Sequence, residues 1–286
     1  MIVSEAQIVH PMIQNTIRIT LTVKIQMATP SGKCPNLQRE KQFCGEPPPI
    51  LFDRFHRVGP MDDQLARARA RLLALSQAAE ADGEPLRWFE ELYAGADRNS
   101  DEIPWAKMEA NSKMVEWIAE RPEITGRALV VGCGLGDDAE WLSAVGFEVT
   151  AFDLSQSSID WCRERFPKSS VNYCVGDLLE PTDGWSEAFD IVIEIHILQA
   201  IPDPMRDLAA SNLPKFLNNC GHLLCIGRLL TERIPDEPSP PWPLSQVWLN
   251  SRFQTLEKLS FSGFVNEETP TIDRYVAAWN RDTAAV

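Results

Sequence analysis

Residues 128–138 read Ala-Leu-Val-Val-Gly-Cys-Gly-Leu-Gly-Asp-Asp, a short apolar run followed by three glycines at alternate positions and two acids. The run Ala128–Val131 is typical of a buried strand, and Asp137 opens a helical stretch that Gly146 closes. Glycines between a parallel strand and the next helix let the backbone approach a ligand closely. The stretch therefore predicts a ligand-binding turn at the carboxyl end of the first parallel strand.

The spacing of these glycines narrows the class of ligand. A dinucleotide-binding turn requires a glycine at position 137, where this chain has Asp137. A pyrophosphate would use the positive end of the helix, and Asp137 and Asp138 would repel it. S-adenosylmethionine has no phosphate, and it carries an amino group and a positive sulfur, so the two acids do not exclude it.

Two further acids end the next two strands. Asp153 follows the strand Phe147–Phe152 and is placed to accept hydrogen bonds from both hydroxyls of an unphosphorylated ribose. Asp177 follows the strand Val171–Val175 and is placed to accept from the exocyclic amine of adenine, with Leu178 beside the ring. The carboxyl ends of parallel strands meet at one edge of a sheet, so these acids and the glycines are expected in one site.

Strands and helices alternate from residue 126 onward, and the strands are almost continuously apolar. This alternation predicts an α/β fold with a doubly wound, mostly parallel sheet of seven strands. The remaining strands are expected at Phe189–Ile195, at His222–Ile226 and in an antiparallel pair at Thr255–Val265 and Ile272–Asn280, with a helix at Pro204–Leu217.

The chain divides into three predicted regions. Residues 1–60 form an accessory or poorly ordered extension with one strand-like stretch, Thr16–Ile25. Residues 61–125 form a helical cap that includes a helix at Trp105–Glu120, and residues 126–286 form the cofactor-binding domain. A stiff loop at Pro235–Pro243 is expected over the ligand edge of the sheet.

Charge and composition exclude several classes of function. The 286 residues include 27 Lys and Arg against 41 Asp and Glu, a net charge of −14. Residues 1–60 carry seven basic against four acidic residues, so the rest of the chain carries −17. Such a surface disfavours nucleic acids and anionic membranes. No secretory or membrane-spanning segment is evident, and the seven scattered cysteines favour a reduced, cytoplasmic setting.

At this point the chain resembles the class I S-adenosylmethionine-dependent methyltransferases, and within them the thiopurine methyltransferase-like branch. The likeness rests on residues 128–138, on Val149–Ser155 (VTAFDLS), and on Phe189–Glu194 (FDIVIE) with Gln199–Pro202 (QAIP). Many members of the class carry an acid where this chain has Val130, and the thiopurine-like branch tends to lack it. The methionine ammonium would then be held by carbonyls of the glycine turn or by an acid at position 137.

The resemblance implies a Rossmann-like methyltransferase fold with N-terminal cap helices and S-adenosyl-L-methionine as cofactor. It implies that Trp105 belongs to a Pro-Trp element folded over the cofactor. The residues implied to bind the cofactor are Trp105, Gly132, Cys133, Gly134, Gly136, Asp153, Leu154, Asp177, Leu178 and Glu194.

Two residues at the end of the fourth strand are candidates for catalysis. Methyl transfer is an in-line displacement that mainly requires alignment and exclusion of water, and a base is needed only when the acceptor must lose a proton. His196 and Glu194 are the predicted bases. A structural role for His196, with its ring satisfied by neighbours, is the alternative.

The sequence therefore predicts a methyltransferase that acts on a small-molecule acceptor, whether a thiol, an amine, a hydroxyl or a halide. The alternatives are a cofactor-binding regulatory or scaffold protein without catalysis, an NAD-dependent oxidoreductase and an aminopropyl transferase. No spacing of His, Cys or Asp predicts a metal site. The acceptor and the oligomeric state are left open.

Overall fold

The computed structural model describes residues 61–203, 205–232, 240–267 and 269–281. The predicted extension at 1–60, with its strand-like stretch, lies outside the described residues, and so does most of the predicted loop at 235–243. The described residues all belong to one compact unit, Pro49–Val286. The predicted division of this unit at residue 126 stays a prediction.

One sheet of seven strands organises this unit. The strands are β1 (Arg127–Val131), β2 (Glu148–Asp153), β3 (Asn172–Val175), β4 (Phe189–Ile195), β5 (Leu217–Arg228), β6 (Glu257–Asn266) and β7 (Thr269–Asn280). Their order across the sheet is β3-β2-β1-β4-β5-β7-β6. The first five are parallel, and β7 runs antiparallel to both β5 and β6. The prediction of a mostly parallel sheet with a closing antiparallel pair is confirmed.

Seven α-helices surround the sheet in the described part of the chain. They are α1 (Met61–Ala81), α2 (Trp88–Ala94), α3 (Ser112–Ala119), α4 (Asp137–Ala144), α5 (Gln156–Arg165), α6 (Met205–Phe216) and α7 (Gln246–Arg252). Short 3-10 turns at Ser100–Glu102 and Asp183–Trp185 complete the regular structure.

The sheet is covered on both faces, because successive strand residues point to opposite sides. In β1, Ala128 and Val130 pack with α3, α4 and α5, whereas Leu129 and Val131 pack with α6 and α7. All four residues are at most 3% exposed. This continuous burial explains why the strand reads as an unbroken apolar run, and it makes the fold doubly wound.

A third apolar cluster joins α1 and α2, here called the cap, to the ligand edge of the sheet. Leu72 of α1 and Trp88, Leu92 and Tyr93 of α2 are buried against Leu135 of the glycine turn. Trp161 of α5 also belongs to this cluster. The cap is therefore held directly above the turn by aromatic and leucine side chains.

Several predicted boundaries were wrong. The helix expected at Trp105–Glu120 begins only at Ser112, because the Asn111 side chain accepts hydrogen bonds from the backbone N–H groups of residues 113 and 114 and so caps it there. Strand β5 begins at Leu217 and not at His222. Helix α7 was not predicted at all, since its seven residues give too short a pattern to recognise.

Candidate active site

The glycine turn, residues 132–136, lies between β1 and α4 as predicted, and its three glycines face three different neighbours. All three have positive φ, at 60°, 53° and 88°. A Cβ on Gly132 would lie 2.2 Å from Ile197 Cδ1 and one on Gly134 would lie 3.1 Å from Tyr93 Oη. One on Gly136 would lie 2.5 Å from Tyr173 Oη. Gly132 thus faces the loop after β4, Gly134 faces the cap, and Gly136 faces the packing between the sheet and α5.

Asp153 ends β2 directly beside this turn. Its Oδ2 accepts from the Gly134 N–H at 2.9 Å and its Oδ1 accepts from the Ser155 N–H at 3.0 Å. The side chain is only 6% exposed, and burial raises its pKa to about 6 despite these two donors. Each carboxylate oxygen can accept a second hydrogen bond, so the group retains capacity for two ribose hydroxyls.

The two acids that open α4 already have protein partners. Asp137 forms a bidentate ion pair with Arg165 of α5 at 2.7 and 2.9 Å. Asp138 accepts from the Asn111 N–H at 2.7 Å, and burial raises its pKa to about 6. Arg165 therefore pairs with the charge of Asp137, and contact of Asp137 with the methionine ammonium stays a prediction.

The segment after β3 carries the predicted adenine residues. Asp177 is half-buried, and its Oδ1 accepts from the Leu179 N–H at 2.8 Å, which closes a tight turn. Leu178 points into the core with α6 and is 5% exposed. Leu154, after β2, is half-buried. Contact of these residues with adenine stays a prediction.

Helix α2 and the segment before α3 each contribute one aromatic side chain above the glycine turn. The Trp105 Nε1–H donates to Tyr93 Oη at 3.0 Å, and the two rings meet edge to face. Tyr93 is buried and lies close enough to Asp153 for that carboxylate to add to the effect of burial in raising the tyrosine's pKa. Trp105 is 40% exposed. Both rings border Gly134, and contact of Trp105 with the cofactor stays a prediction.

A carboxylate of the cap also fastens the other side of the site. Glu90 of α2 accepts from Ser155 Oγ at 2.6 Å, from Ser157 Oγ at 2.5 Å and from the Ser157 N–H at 3.1 Å. Burial raises the pKa of Glu90, but these donors outweigh it and the net pKa is lowered. Glu90 thereby satisfies the N-terminus of α5 immediately after Asp153.

Glu194 lies at the end of β4 and is fully buried. Its Oε1 accepts from the Leu198 N–H at 3.0 Å, while Oε2 has no hydrogen-bond partner among the described residues. Burial raises its pKa to about 7. The carboxyl group supports the loop that follows β4, and its predicted contacts with cofactor or acceptor stay a prediction.

His196 directly follows β4 and is half-buried. Its φ of 64° turns the chain sharply, and its N–H donates to the Ile226 carbonyl of β5 at 2.9 Å. The next residue, Ile197, is the one that lies on Gly132. His196 is therefore brought to the same edge of the sheet as the glycine turn.

The imidazole of His196 is held as a neutral ring. Burial, together with the cations Arg228, Arg274 and Lys107, lowers its pKa to about 4, although a hydrogen bond to Gln199 acts in the opposite direction. Nδ1 lies 2.9 Å from Gln199 Oε1. A neutral imidazole carries one lone pair that can accept a proton, and the cations favour a negative charge near the ring.

Three contributors to the site were missed by the sequence analysis. Glu90 gives no local signal, because its partners lie 65 and 67 positions away. Ile197 and Gln199 belong to the segment after β4, and Gln199 lies in the quoted Gln-Ala-Ile-Pro stretch without any role assigned. Only the pairing of β4 with β5 shows what these side chains reach.

The residues present fit S-adenosylmethionine. Gly134 leaves space that a Cβ would occupy beneath Tyr93 and Trp105, and Asp153 retains acceptor capacity for ribose. Cys133 of the turn is a buried free thiol. Over the described ranges no three His, Cys, Asp or Glu side chains are arranged to hold a metal ion, and none of the helices there is long and apolar enough to cross a membrane.

Comparison with known sequences agrees with this geometry. The family model described as "Methyltransferase domain" matches residues 128–221, from β1 into β5. Thiocyanate methyltransferase 1 of Arabidopsis thaliana is 24% identical over 198 residues, which are 68% of this chain and 80% of that protein. Ubiquinone biosynthesis O-methyltransferase of Aromatoleum aromaticum is 32% identical over 105 residues, 36% of this chain and 45% of that protein.

Solved structures agree on the fold. A structure from the study of conversion of a disulfide bond into a thioacetal group during echinomycin biosynthesis aligns with a TM-score of 0.55 and 21% identity, over 69% of this chain and 91% of that one. Magnesium protoporphyrin IX methyltransferase from Synechocystis PCC 6803 with bound SAH aligns with a TM-score of 0.50 and 14% identity, over 60% and 81%. With the glycine turn and Asp153 in place, the chain carries a methyltransferase domain and is an S-adenosylmethionine-dependent methyltransferase, with S-adenosylmethionine as its cofactor.

Proposed function

We propose that this enzyme transfers the methyl group of S-adenosylmethionine to a small-molecule sulfur acceptor, a thiol or thiocyanate. The observation that carries the proposal is the position of His196 directly before Ile197, which lies on Gly132, with Arg228, Arg274 and Lys107 near enough to lower the pKa of the ring. Positive surroundings lower the pKa of a thiol and attract a small anion. Thiocyanate methyltransferase 1 of Arabidopsis thaliana, which is similar to this chain over 80% of its own length, supports the same chemistry.

The cofactor supplies a methyl group on a positive sulfur. The chain would bind it through the glycine turn and Asp153, with Tyr93 and Trp105 excluding water from above Gly134. The loop after β4 would present the acceptor, because Ile197 lies on Gly132 and His196 precedes it. Methyl transfer needs little beyond this alignment and a dry site.

A large polymer is a poorer acceptor than a small molecule. The chain outside residues 1–60 carries a charge of −17, which repels the phosphates of nucleic acid. The cations near His196 are therefore a local exception within an acidic protein. This contrast favours a small acceptor that enters the edge of the sheet.

The test begins with the cofactor. S-adenosylmethionine, S-adenosylhomocysteine and NAD are titrated by calorimetry into the full chain, and only the first two are expected to bind. Asp153→Ala is compared with Asp183→Ala, a matched control because Asp183 is exposed on a 3-10 turn. Binding of NAD would favour the oxidoreductase alternative.

Acceptors are then compared by the formation of S-adenosylhomocysteine. An aromatic thiol, thiocyanate, iodide and a catechol are supplied at equal concentration, and the sulfur compounds are expected to react fastest. Methylation of the catechol alone would replace the sulfur acceptor by a hydroxyl, the chemistry of the O-methyltransferase relative. Cofactor binding without product from any acceptor would favour the scaffold alternative.

A further inference from the structure

The side chain of Gln199 and the backbone of Leu244 pair with the end of β5 that extends beyond β4. Beyond the end of β4, the backbone of Arg228 still faces the side from which β4 has turned away. Gln199 Nε2 donates to the Arg228 carbonyl at 2.6 Å, and Gln199 Oε1 accepts from the Arg228 N–H at 2.7 Å. Gln199 is fully buried, so this amide is held rigidly.

These two bonds fix which end of the amide is oxygen. A backbone N–H only donates and a backbone carbonyl only accepts. If the amide were flipped, its NH2 group would face the Arg228 N–H and its oxygen would face the Arg228 carbonyl, and neither pair could form a hydrogen bond. The atom 2.9 Å from His196 Nδ1 is therefore the oxygen Oε1. An oxygen can only accept, so Nδ1 carries the proton and Nε2 of the neutral ring carries the lone pair.

Space has been left for this arrangement in the neighbouring strand. A Cβ on Gly227 would lie 2.6 Å from Gln199 Oε1 and 2.9 Å from Tyr275 Oη. Gly227 has no positive φ, so its backbone does not need glycine and only the lack of a side chain explains the fit. The pair of His196 and Gln199 is thus accommodated by β5 as well as by the loop after β4.

We propose that Gln199 is a positioning residue that holds His196 as the Nδ1–H tautomer, so that Nε2 receives the proton of the acceptor. This inference rests on the proposed function and narrows it to an acceptor whose nucleophilic sulfur carries a proton, a thiol and not thiocyanate. The S–H bond breaks, its proton goes to Nε2, and its electron pair stays on sulfur to form the new bond to the methyl carbon. The methyl–sulfonium bond breaks toward the leaving sulfur, and Nε2 later releases the proton to water.

The charges around His196 suit this step. Arg228 at the end of β5, Arg274 on β7 and Lys107 in the loop before α3 are the cations near the ring, and Glu194 precedes it on β4. Burial, with a smaller effect of the cations, keeps the imidazole neutral at neutral pH, so Nε2 of the Nδ1–H tautomer carries a lone pair. The cations also favour the thiolate that forms when the thiol loses its proton.

The tautomer can be measured without any turnover. Long-range proton–nitrogen NMR spectra of the labelled full chain, without cofactor or acceptor, distinguish the two tautomers, and the chain has only four histidines, so His196→Ala assigns the signal. The Nδ1–H form is expected in the wild type. Gln199→Leu is expected to release it to the Nε2–H form or a mixture, while Gln246→Leu, at an exposed glutamine, leaves it unchanged.

Gln199→Glu is a second variant, which keeps the test interpretable if Gln199→Leu fails to fold. A protonated carboxyl group donates to the Arg228 carbonyl and accepts from the Arg228 N–H and from Nδ1–H, as the amide does, so the tautomer is retained. A wild-type ring in the Nε2–H form would overturn the proposal. So would an unchanged tautomer in Gln199→Leu.

Kinetics with a thiol acceptor test the consequence. Gln199→Leu is expected to lower kcat about 10- to 100-fold, while calorimetric affinity for S-adenosylmethionine is unchanged. In the His196→Ala background the same substitution should change kcat by less than about twofold, because there is no ring left to orient. An equal loss in both backgrounds would mean that Gln199 acts independently of His196.

The acceptor comparison separates this inference from the proposed function. Turnover of thiocyanate with none of the thiol would overturn the proton transfer and leave sulfur methylation standing. If neither acceptor were turned over but the Nδ1–H tautomer were observed, the proposed function and the proton transfer would both be overturned. The positioning of the ring by Gln199 would still stand.

Discussion

The proposed cofactor half and the proposed acceptor half of the site are built in different ways. The proposed cofactor half consists of the glycine turn and Asp153, which end adjacent strands β1 and β2, and it offers backbone N–H groups and the space that glycines leave open. The proposed acceptor half consists of His196 and Gln199 after β4, with cations from the loop before α3, from β5 and from β7. Those groups come from segments far apart in the chain.

This difference explains how one fold keeps its cofactor while its acceptor changes. The conformation of a glycine turn between a strand and a helix depends on residues that are adjacent in sequence, so any chain that preserves the glycine spacing can form the same turn. Side chains on separate loops can be exchanged one at a time without disturbing the sheet. The identity of the acceptor is thus carried by the less local half.

The largest effect is expected in the cofactor half, from Asp153→Ala. Loss of a buried carboxylate that serves the turn and the ribose should cost about 2–3 kcal/mol, or roughly 100-fold in affinity for S-adenosylmethionine. Because the pKa of Asp153 is raised to about 6, wild-type affinity should also weaken as the pH falls below that value. Calorimetry at several pH values measures both, and equal binding by Asp153→Ala and Asp183→Ala would remove Asp153 from the cofactor half.

The next effect concerns Glu194, which supports the acceptor half. Its pKa is raised from 4.5 to about 7, so the folded state binds its proton more tightly than the unfolded state. Stability from this group is fully present below about pH 4.5 and is lost as the pH rises through about 7, on the order of 3 kcal/mol. Asp153 and Asp138 act in the same direction.

Denaturant unfolding near pH 5 and pH 8 measures the loss of stability that accompanies ionisation of Glu194. Wild type should lose more stability over that interval than Glu194→Gln, while Glu148→Gln, whose side chain is 82% exposed, should follow wild type. If Glu194→Gln showed the same pH dependence as wild type, the carboxyl group would be ionised in the folded protein.

His196→Ala separates the two halves kinetically. We expect at least a tenfold loss of kcat with a thiol, of the order that a proton acceptor contributes, and no change in affinity for S-adenosylmethionine. His222→Ala, which removes a histidine on the interior of β5, is a control for kcat per folded molecule. A loss of cofactor affinity in His196→Ala would instead place the ring in the cofactor half.

The smallest effect is expected where the cap meets the cofactor half. Glu90→Gln removes the charge from three hydrogen bonds with Ser155 and Ser157 and should cost about 1 kcal/mol of stability, with a few-fold loss in affinity for S-adenosylmethionine. Glu91→Gln is the matched control, since its carboxylate pairs only with Arg87 at a partly exposed site. Equal thermal unfolding of the two variants would show that the cap is fastened by its aromatic cluster alone.

Prediction from sequence succeeded where the signal is local and failed where it depends on packing. The strand-turn-helix at Ala128–Asp138 was correct because apolar runs, glycines and helix starts are read within a few residues. The start of α3 was predicted too early, at Trp105, because the sequence alone does not show that the Asn111 side chain caps the helix. Only the capping hydrogen bonds identify the residue after Asn111 as the first residue of the helix. The ion pair of Asp137 was also missed, because its partner Arg165 lies on another helix, 28 residues away.

The sequence by itself determined the order of the strands along the chain, the glycine turn and the acids at the strand ends, because each of these depends on neighbouring residues. Only the tertiary structure decided that the amide oxygen of Gln199 faces Nδ1 of His196. That depends on Gln199 meeting the backbone of Arg228, 29 residues away, at the place where β4 leaves the sheet and β5 continues. Long-range contacts of this kind follow from the register of the sheet, which no local pattern specifies.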